Sequence, residues 1–385
     1  MADTVTRTQV LGFRVRAQQL DRDPGPDGDR LAGTALLDIG AQDTGPDGGR
    51  WALAIRGLDV PAPPDDTLVL LWTIRGAPHL YRRADLQWIA AAVQPFSDAD
   101  AGKRIFDASK PLRQAGIGNL AALDTVATAM RSVVTRPLGK GEVSTRLAGL
   151  MDPPYLRFCR SCDATHLYEM PFRLAALRAG LELAPDTSPP VLRRIPGFRQ
   201  AATSTGGAST SGASTSGKVP PRYDVVRAYL HLLGPATPGH VAGYLDAPVR
   251  EVRARWPDDA VEVTVGGERR WVLAGDRDAL AAAAPKTTRL LGPYDLFLQA
   301  RDRQLLVDDP ARAKALWPVL GRPGAVLVDG EIAGTWRPRT AARKLTVQVE
   351  WWARASPATR TAVAEQGGLL AAHRGVPLAG VDHTG

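Results

Sequence analysis

Apolar residues recur at helical spacing over residues 5 to 20 and 30 to 42, and predict two helices. The run Thr44-Gly45-Pro46-Asp47-Gly48-Gly49 must break the second of them. The period then changes. Trp51, Leu53 and Ile55 alternate with small or polar residues, residues 60 to 66 turn the chain, and 67 to 74 return as an apolar strand, so a β-hairpin is expected. Helices followed by a hairpin make a winged helix, closed here by a helix over 83 to 93; residues 1–95 form the first expected unit.

Residues 96–200 form a second. Helices are predicted over 98 to 116 and 119 to 132. A glycine-containing turn at Gly139 then precedes a helix carrying Lys140, Ser144 and Arg146, the pattern of a helix-turn-helix. Residues 154 to 172 read as extended and 173 to 182 as helical. Residues 201–220 begin with a low-complexity Ala/Ser/Thr/Gly run that cannot bury a core, and are expected to be a flexible linker. Beyond it, helices over 223 to 233, 237 to 245 and 248 to 256 and a hairpin around Gly266-Gly267 predict a third winged helix over 221–285. The remaining 286–385 should be a β-containing C-terminal region, with a hairpin over 326 to 336, a strand over 345 to 351 and a closing helix over 357 to 372. The expected class is mainly α with small β-hairpins (α+β), in three tandem winged-helix units and that C-terminal region.

At 385 residues the chain is long enough for several such units. No apolar run approaches the length needed to cross a bilayer. Two cysteines three positions apart do not make a secreted disulfide scaffold, and the N-terminus has no signal-peptide pattern, so a cytoplasmic monomer is expected. Net charge is +8. Residues 101–160 hold ten bases (Lys103, Arg104, Lys110, Arg113, Arg131, Arg136, Lys140, Arg146, Arg157, Arg160) against four acids (Asp107, Asp124, Glu142, Asp152), a local excess of +6 that favours phosphate contacts over a merely solvated face. A second, acid-free cluster is Arg337, Arg339, Arg343 and Lys344.

The chemistry concentrates near residue 40. Asp38-Ile39-Gly40-Ala41-Gln42-Asp43 sets a carboxamide among acids at an expected helix end, ahead of Arg75-Gly76 and His79. Together with Leu290-Leu291-Gly292-Pro293-Tyr294-Asp295, Val328-Asp329-Gly330 and Gly334-Thr335-Trp336-Arg337, in this order and spacing, these segments resemble the bacterial tandem winged-helix DNA glycosylases that act on bulky alkylated purines and interstrand crosslinks. The resemblance covers most of the chain except the linker. It implies a monofunctional DNA glycosylase of base-excision repair that binds duplex DNA and hydrolyses the N-glycosidic bond without a metal or other cofactor. In that family the reaction centre reads Gln, an apolar residue, then Gln or Asp. Here Gly40 stands first and only Gln42 carries over, with Asp38 or Asp43 as the carboxylate that would stabilise cationic character on the sugar. Were 30 to 42 one helix, Asp38 and Gln42 would share a face. The alternative reading is a non-catalytic winged-helix DNA-binding or regulatory protein that lost the centre with Gly40; a protein-interaction scaffold is a third.

The residues expected at DNA are Arg75, His79, Lys103, Lys110, Arg136, Lys140 and Arg146. Cys159-x-x-Cys162-x-x-x-His166 has the spacing of a partial zinc or redox site, but no fourth ligand is apparent and ordinary packing is the expectation. No phosphate-binding loop, dinucleotide fingerprint or HExxH motif occurs, so no nucleotide cofactor is expected.

Overall fold

The computed structural model describes residues 3–23, 30–58, 60, 66–198 and 219–385, so the expected linker lies almost wholly outside the described residues. The chain packs as two compact units interleaved in sequence. The first takes Met1–Val60, Val226–Tyr244 and Trp256–Gly385; the second takes Pro61–Val225 and Leu245–Arg255. The fold is α+β, with more helix than strand.

The first unit opens with β1 (Asp3–Val5) and α1 (Arg7–Ala17). A capping box fixes the start of α1: the Gln9 backbone N–H donates to the Thr6 hydroxyl, and the Thr6 N–H donates to the Gln9 side chain. The next helix, α2 (Leu36–Ile39), lasts one turn because Gly40 takes φ +97°, and β2 (Ala41–Gln42) and α3 (Gly48–Ala54) follow. Two expectations are corrected here. The helix predicted over 30 to 42 stops at Ile39, which removes the shared face of Asp38 and Gln42. The stretch read as a first hairpin strand is the helix α3. Alternation of Trp51, Leu53 and Ile55 imitates a strand, but Ala52 and Arg56 are buried too, so the segment is enclosed nearly all round and its period carries no information.

In the second unit β3 (Leu68–Trp72) and β4 (Pro78–Arg82) form the hairpin, paired from Leu68 opposite Arg82 to Trp72 opposite Pro78. Four helices follow: α4 (Leu86–Ala92), α5 (Asp98–Arg104), α6 (Ser109–Gln114) and α7 (Asn119–Val133). The face of α7 that carries Ala122, Leu123, Val126, Ala127 and Met130 is fully buried. Asp98 caps it from outside, accepting from the Leu120 N–H (2.9 Å) and the Asn119 amide (2.8 Å). After β5 (Leu138–Gly139), helix α8 (Lys140–Ala148) turns Val143 and Leu147 inward and leaves Arg146 exposed. The hairpin β6 (Leu156–Cys159) and β7 (Ala164–Leu167) precedes α9 (Glu169–Arg178), β8 (Leu181–Leu183) and β9 (Val191–Arg194). Strands of this unit lie in the order β4-β3-β8-β9-β5. Trp72, Phe172, Leu181 and Leu192 join the buried face of α7 in one core.

Three helices, α10 (Val225–Leu233), α11 (Pro238–Leu245) and α12 (Val249–Arg253), stand where the periodicity puts them. In the first unit β10 (Ala260–Val265) and β11 (Glu268–Leu273) turn at Gly266 and Gly267, both at positive φ, and β1 adds to β10 in parallel. A five-stranded sheet ends the chain. It begins with β12 (Thr288–Leu291); α13 (Arg303–Leu306) and α14 (Pro310–Leu316) intervene before β13 (Gly324–Val328), β14 (Glu331–Ala341) and β15 (Lys344–Trp351), and α15 (Pro357–His373) leads to β16 (Leu378–Thr384), which pairs parallel to β15. The final strand escapes the periodicity because Leu378 and Val381 are its only large apolar residues.

Two buried ionic groups cross-link distant parts of the first unit. Arg56 meets Asp295 through two bonds, 2.7 and 2.9 Å, with both side chains fully buried. Arg14 meets Asp302 in the same bidentate way (3.0 and 2.8 Å), and Arg270 binds the same carboxylate. Burial alone would raise the pKa of Asp302; the charges and hydrogen bonds of Arg14, with the charge of Arg270, outweigh it and hold the group at about 2.

Candidate active site and nucleic-acid interface

Gln42 ends β2 and is only 9% exposed. Its Nε2 donates to the Thr44 hydroxyl at 2.9 Å. The sequence marks Thr44 only as part of the run that breaks the helix; its contact with Gln42 arises from the extended backbone after Gly40 and has no signal in the sequence. Asp43 accepts from the Gly49 N–H at 2.7 Å and so ties the loop to the first turn of α3. Asp47, which precedes that helix, holds Arg374 through two hydrogen bonds of 2.6 and 2.9 Å. Asp38 sits on α2, on the other side of the Gly40 break from Gln42. Its charge reaches His231: a hydrogen bond from the imidazole to Asp276 (2.9 Å) and the charges of Asp276 and Asp38 outweigh burial and raise the His231 pKa.

The residues expected at DNA belong to the second unit. Arg75 and Gly76 both have positive φ (57° and 64°) and make the tight turn between β3 and β4. A side chain at Gly76 would press on Met170 and Arg173, and Arg173 donates to the Gly76 carbonyl at 3.0 Å. Lys140 pairs with Glu169 (2.6 Å), which Arg173 also binds, while Arg146 pairs with Glu142 (2.6 Å), with Arg136 at 3.4 Å from the same carboxylate. Each trio keeps one excess positive charge. Lys103 donates to the Ala247 carbonyl, and Lys110 is exposed.

His79 is a correction. It is wholly buried, with Nδ1 donating to the Ala77 carbonyl (2.9 Å) beside the Thr73 hydroxyl (3.0 Å) and Nε2 buried without a hydrogen-bond partner, so it has no surface to offer a phosphate. Burial, then the charge of Arg75, pushes its pKa down to about 3. The folded unit therefore holds His79 neutral while the unfolded chain takes up a proton below about pH 6.5. Stability should consequently fall as pH drops from about 6.5 towards 3. Thermal melts of the wild type and His79→Asn between pH 7 and 4 check this, and parallel pH dependences in the two proteins would remove the assignment.

The structure brings Cys159, Cys162 and His166 together. Their ligand atoms all lie within 4.8 Å of one another, the one such cluster among the described residues. Hydrogen bonds with Ser161, His166 and the Cys162 backbone pull the Cys159 thiol down to about 6.

Comparisons with known proteins agree with this architecture. The chain matches the DNA glycosylase AlkZ-like family over residues 41–373, a span that opens at Ala41-Gln42 and closes at the end of α15. Its fold is similar to that of Streptomyces sahachiroi DNA glycosylase AlkZ, with a TM-score of 0.69 and 21% identity, covering 99% of this chain and 100% of that one. A search of curated proteins gives no match. The family match covers most of the sequence and contains the loop that holds Gln42: the chain belongs to the AlkZ-like DNA glycosylase family.

Proposed function

We propose that this chain is a monofunctional DNA glycosylase that releases alkylated purines, or one arm of a purine crosslink, from duplex DNA, with Gln42 orienting the attacking water. The observation that carries this reading is the buried carboxamide of Gln42, clamped by Thr44 at the start of the matched region. The chemistry asks little more. An N7-alkylated guanine already bears positive charge; as water oxygen bonds to C1′, the glycosidic pair leaves with N9 and neutralises the ring, and the water proton passes to a nearby base. Asp38 and Asp43 are the candidates for the stabilising carboxylate, and Asp43 also accepts from the Gly49 N–H at the start of α3.

One observation favours the second reading, a DNA-binding protein without turnover. Gly40 occupies a backbone conformation (φ 97°, ψ 134°) that side chains avoid, so the missing family glutamine is not a simple exchange of side chains.

Incubation with duplexes carrying N7-alkylguanine, followed by cleavage at abasic sites, tests both. Abasic sites in the lesion strand alone support the glycosylase. Binding without abasic sites selects the second reading. Phosphate contacts from Lys103, Lys110, Arg136, Lys140 and Arg146 would give a log–log salt slope of about −4.5, and the Lys140→Ala, Arg146→Ala double variant should lower it by about 2. Affinity indifferent to salt would remove these residues from the interface, and no binding at low salt would sink both readings.

A further inference from the structure

We infer that Cys159, Cys162 and His166 form a zinc-binding site at the tip of the β6–β7 hairpin, with a solvent molecule as fourth ligand. The site does not depend on the proposed excision reaction. Its basis is the hairpin itself. Cys159 ends β6 opposite Ala164, the Cys162 N–H donates to the Cys159 carbonyl at 3.2 Å, and Asp163 closes the turn at φ 48°. His166 lies two residues into β7, opposite Arg157. This folding brings the two sulfurs and an imidazole nitrogen within 4.8 Å of one another. A tetrahedral zinc ion, with bonds of about 2.3 Å to sulfur and about 2.0 Å to nitrogen, spaces its ligands by roughly 3.5 to 3.8 Å, so only a small closure is needed.

The imidazole is prepared for this role. Its Nδ1 donates to the Leu167 carbonyl at 2.7 Å, which places the proton on Nδ1 and the lone pair on Nε2. Two thiolates and an imidazole select zinc over magnesium or calcium, and the thiols release their protons as the ion binds. The neighbouring cations have other surroundings: Arg157, opposite His166, lies over the Tyr168 ring and approaches Asp107 at 4.0 Å, and Arg160 is exposed to solvent.

Beyond its turn hydrogen bonds, packing adds little order to the tip. Arg160, Ser161, Cys162, Asp163, Ala164 and Thr165 are all exposed, and a two-stranded hairpin without a buried face is marginal in water. Apolar packing begins at the paired Leu156 and Leu167, at the base of the hairpin. An ion at the tip would fix the end of the hairpin that packs by its base against α8, the helix of Lys140 and Arg146.

Titration of the reduced full-length protein with Co²⁺, without DNA, is the test. One ion per chain should bind with thiolate-to-cobalt charge-transfer and tetrahedral ligand-field bands, and one Zn²⁺ should displace it. Losing an outer-shell partner alone weakens metal sites about 10- to 100-fold, so Cys159→Ser and Cys162→Ser should each weaken binding by about 100-fold or more. His166→Ala should weaken it while keeping thiolate charge transfer. If a variant fails to fold, the wild-type titration decides. No uptake by the reduced wild type, an octahedral spectrum, or unaltered binding in all three variants overturns the site, as does a Cys159–Cys162 disulfide that persists under reducing conditions.

Discussion

Replacing Gln42 by alanine is expected to abolish excision of alkylated purines, by about 10²-fold or more in rate, while leaving affinity for duplex DNA nearly unchanged. The two effects separate because one carboxamide adds little beside several phosphate contacts, whereas the proposed reaction relies on Gln42 to hold its water. Single-turnover release of N7-alkylguanine, with binding measured in parallel, reads both. Equal loss of binding and rate would mean that Gln42 supports the loop, and no loss of rate would place the water elsewhere. The structure also sharpens the carboxylate comparison. Asp38→Asn should slow the chemical step and lower the raised pKa of His231, because Asp38 contributes to that field. Asp43→Asn should instead loosen the start of α3, since its carboxylate accepts the Gly49 N–H, and should be seen first in stability.

Gly40→Gln, which reads from sequence as restoration of the missing family residue, has a different expected outcome. At φ 97° and ψ 134° a side chain costs about 1 to 3 kcal/mol, so a glutamine there forces the turn between α2 and β2 to rearrange before it can help. The glycine ends a one-turn helix and lets the chain enter β2; its identity is dictated by backbone before chemistry.

That glycine also marks where the sequence stops being legible. Amphipathic helices with a distinct solvent side are readable, as in α7, where buried positions recur three and four apart. Hairpins with glycine turns, such as β10–β11, are equally plain. The stretch 36 to 56 is not, because Leu36, Leu37, Ile39, Ala41, Trp51, Ala52, Leu53 and Arg56 are all buried and enclosure erases periodicity. Gln42 could be picked out as a residue, but not its partner Thr44, since that contact arises from the extended backbone after Gly40. The burial of His79 was hidden for a related reason: the β4 face it lies on is set by hairpin register, which sequence alone placed one strand too early.

Removing the carboxylate of Asp295 should strongly destabilise the first unit. Arg56 and Asp295 are both fully buried and share two hydrogen bonds; Arg56 also donates to the backbone carbonyls of Gln18 and Ala52 and to the Gln18 side chain, and Asp295 accepts from the Phe297 N–H. Asp295→Ala leaves the guanidinium inside with only its bonds to Gln18 and Ala52 and no counter-charge, a defect that costs about 3 to 5 kcal/mol. Asp295→Asn should recover only part of this, because it can still accept from the Phe297 N–H but cannot balance the charge. The double variant Arg56→Met, Asp295→Leu should lose less than the two single changes added together, since it takes away both charges at once. Urea unfolding of the wild type, Arg56→Met, Asp295→Leu and the double variant measures the cycle, with Asp295→Ala and Asp295→Asn alongside. A cost below about 1 kcal/mol for Asp295→Ala, or strict additivity in the double variant, would show that water reaches the pair and that the Leu290 to Asp295 segment is anchored by its apolar contacts instead.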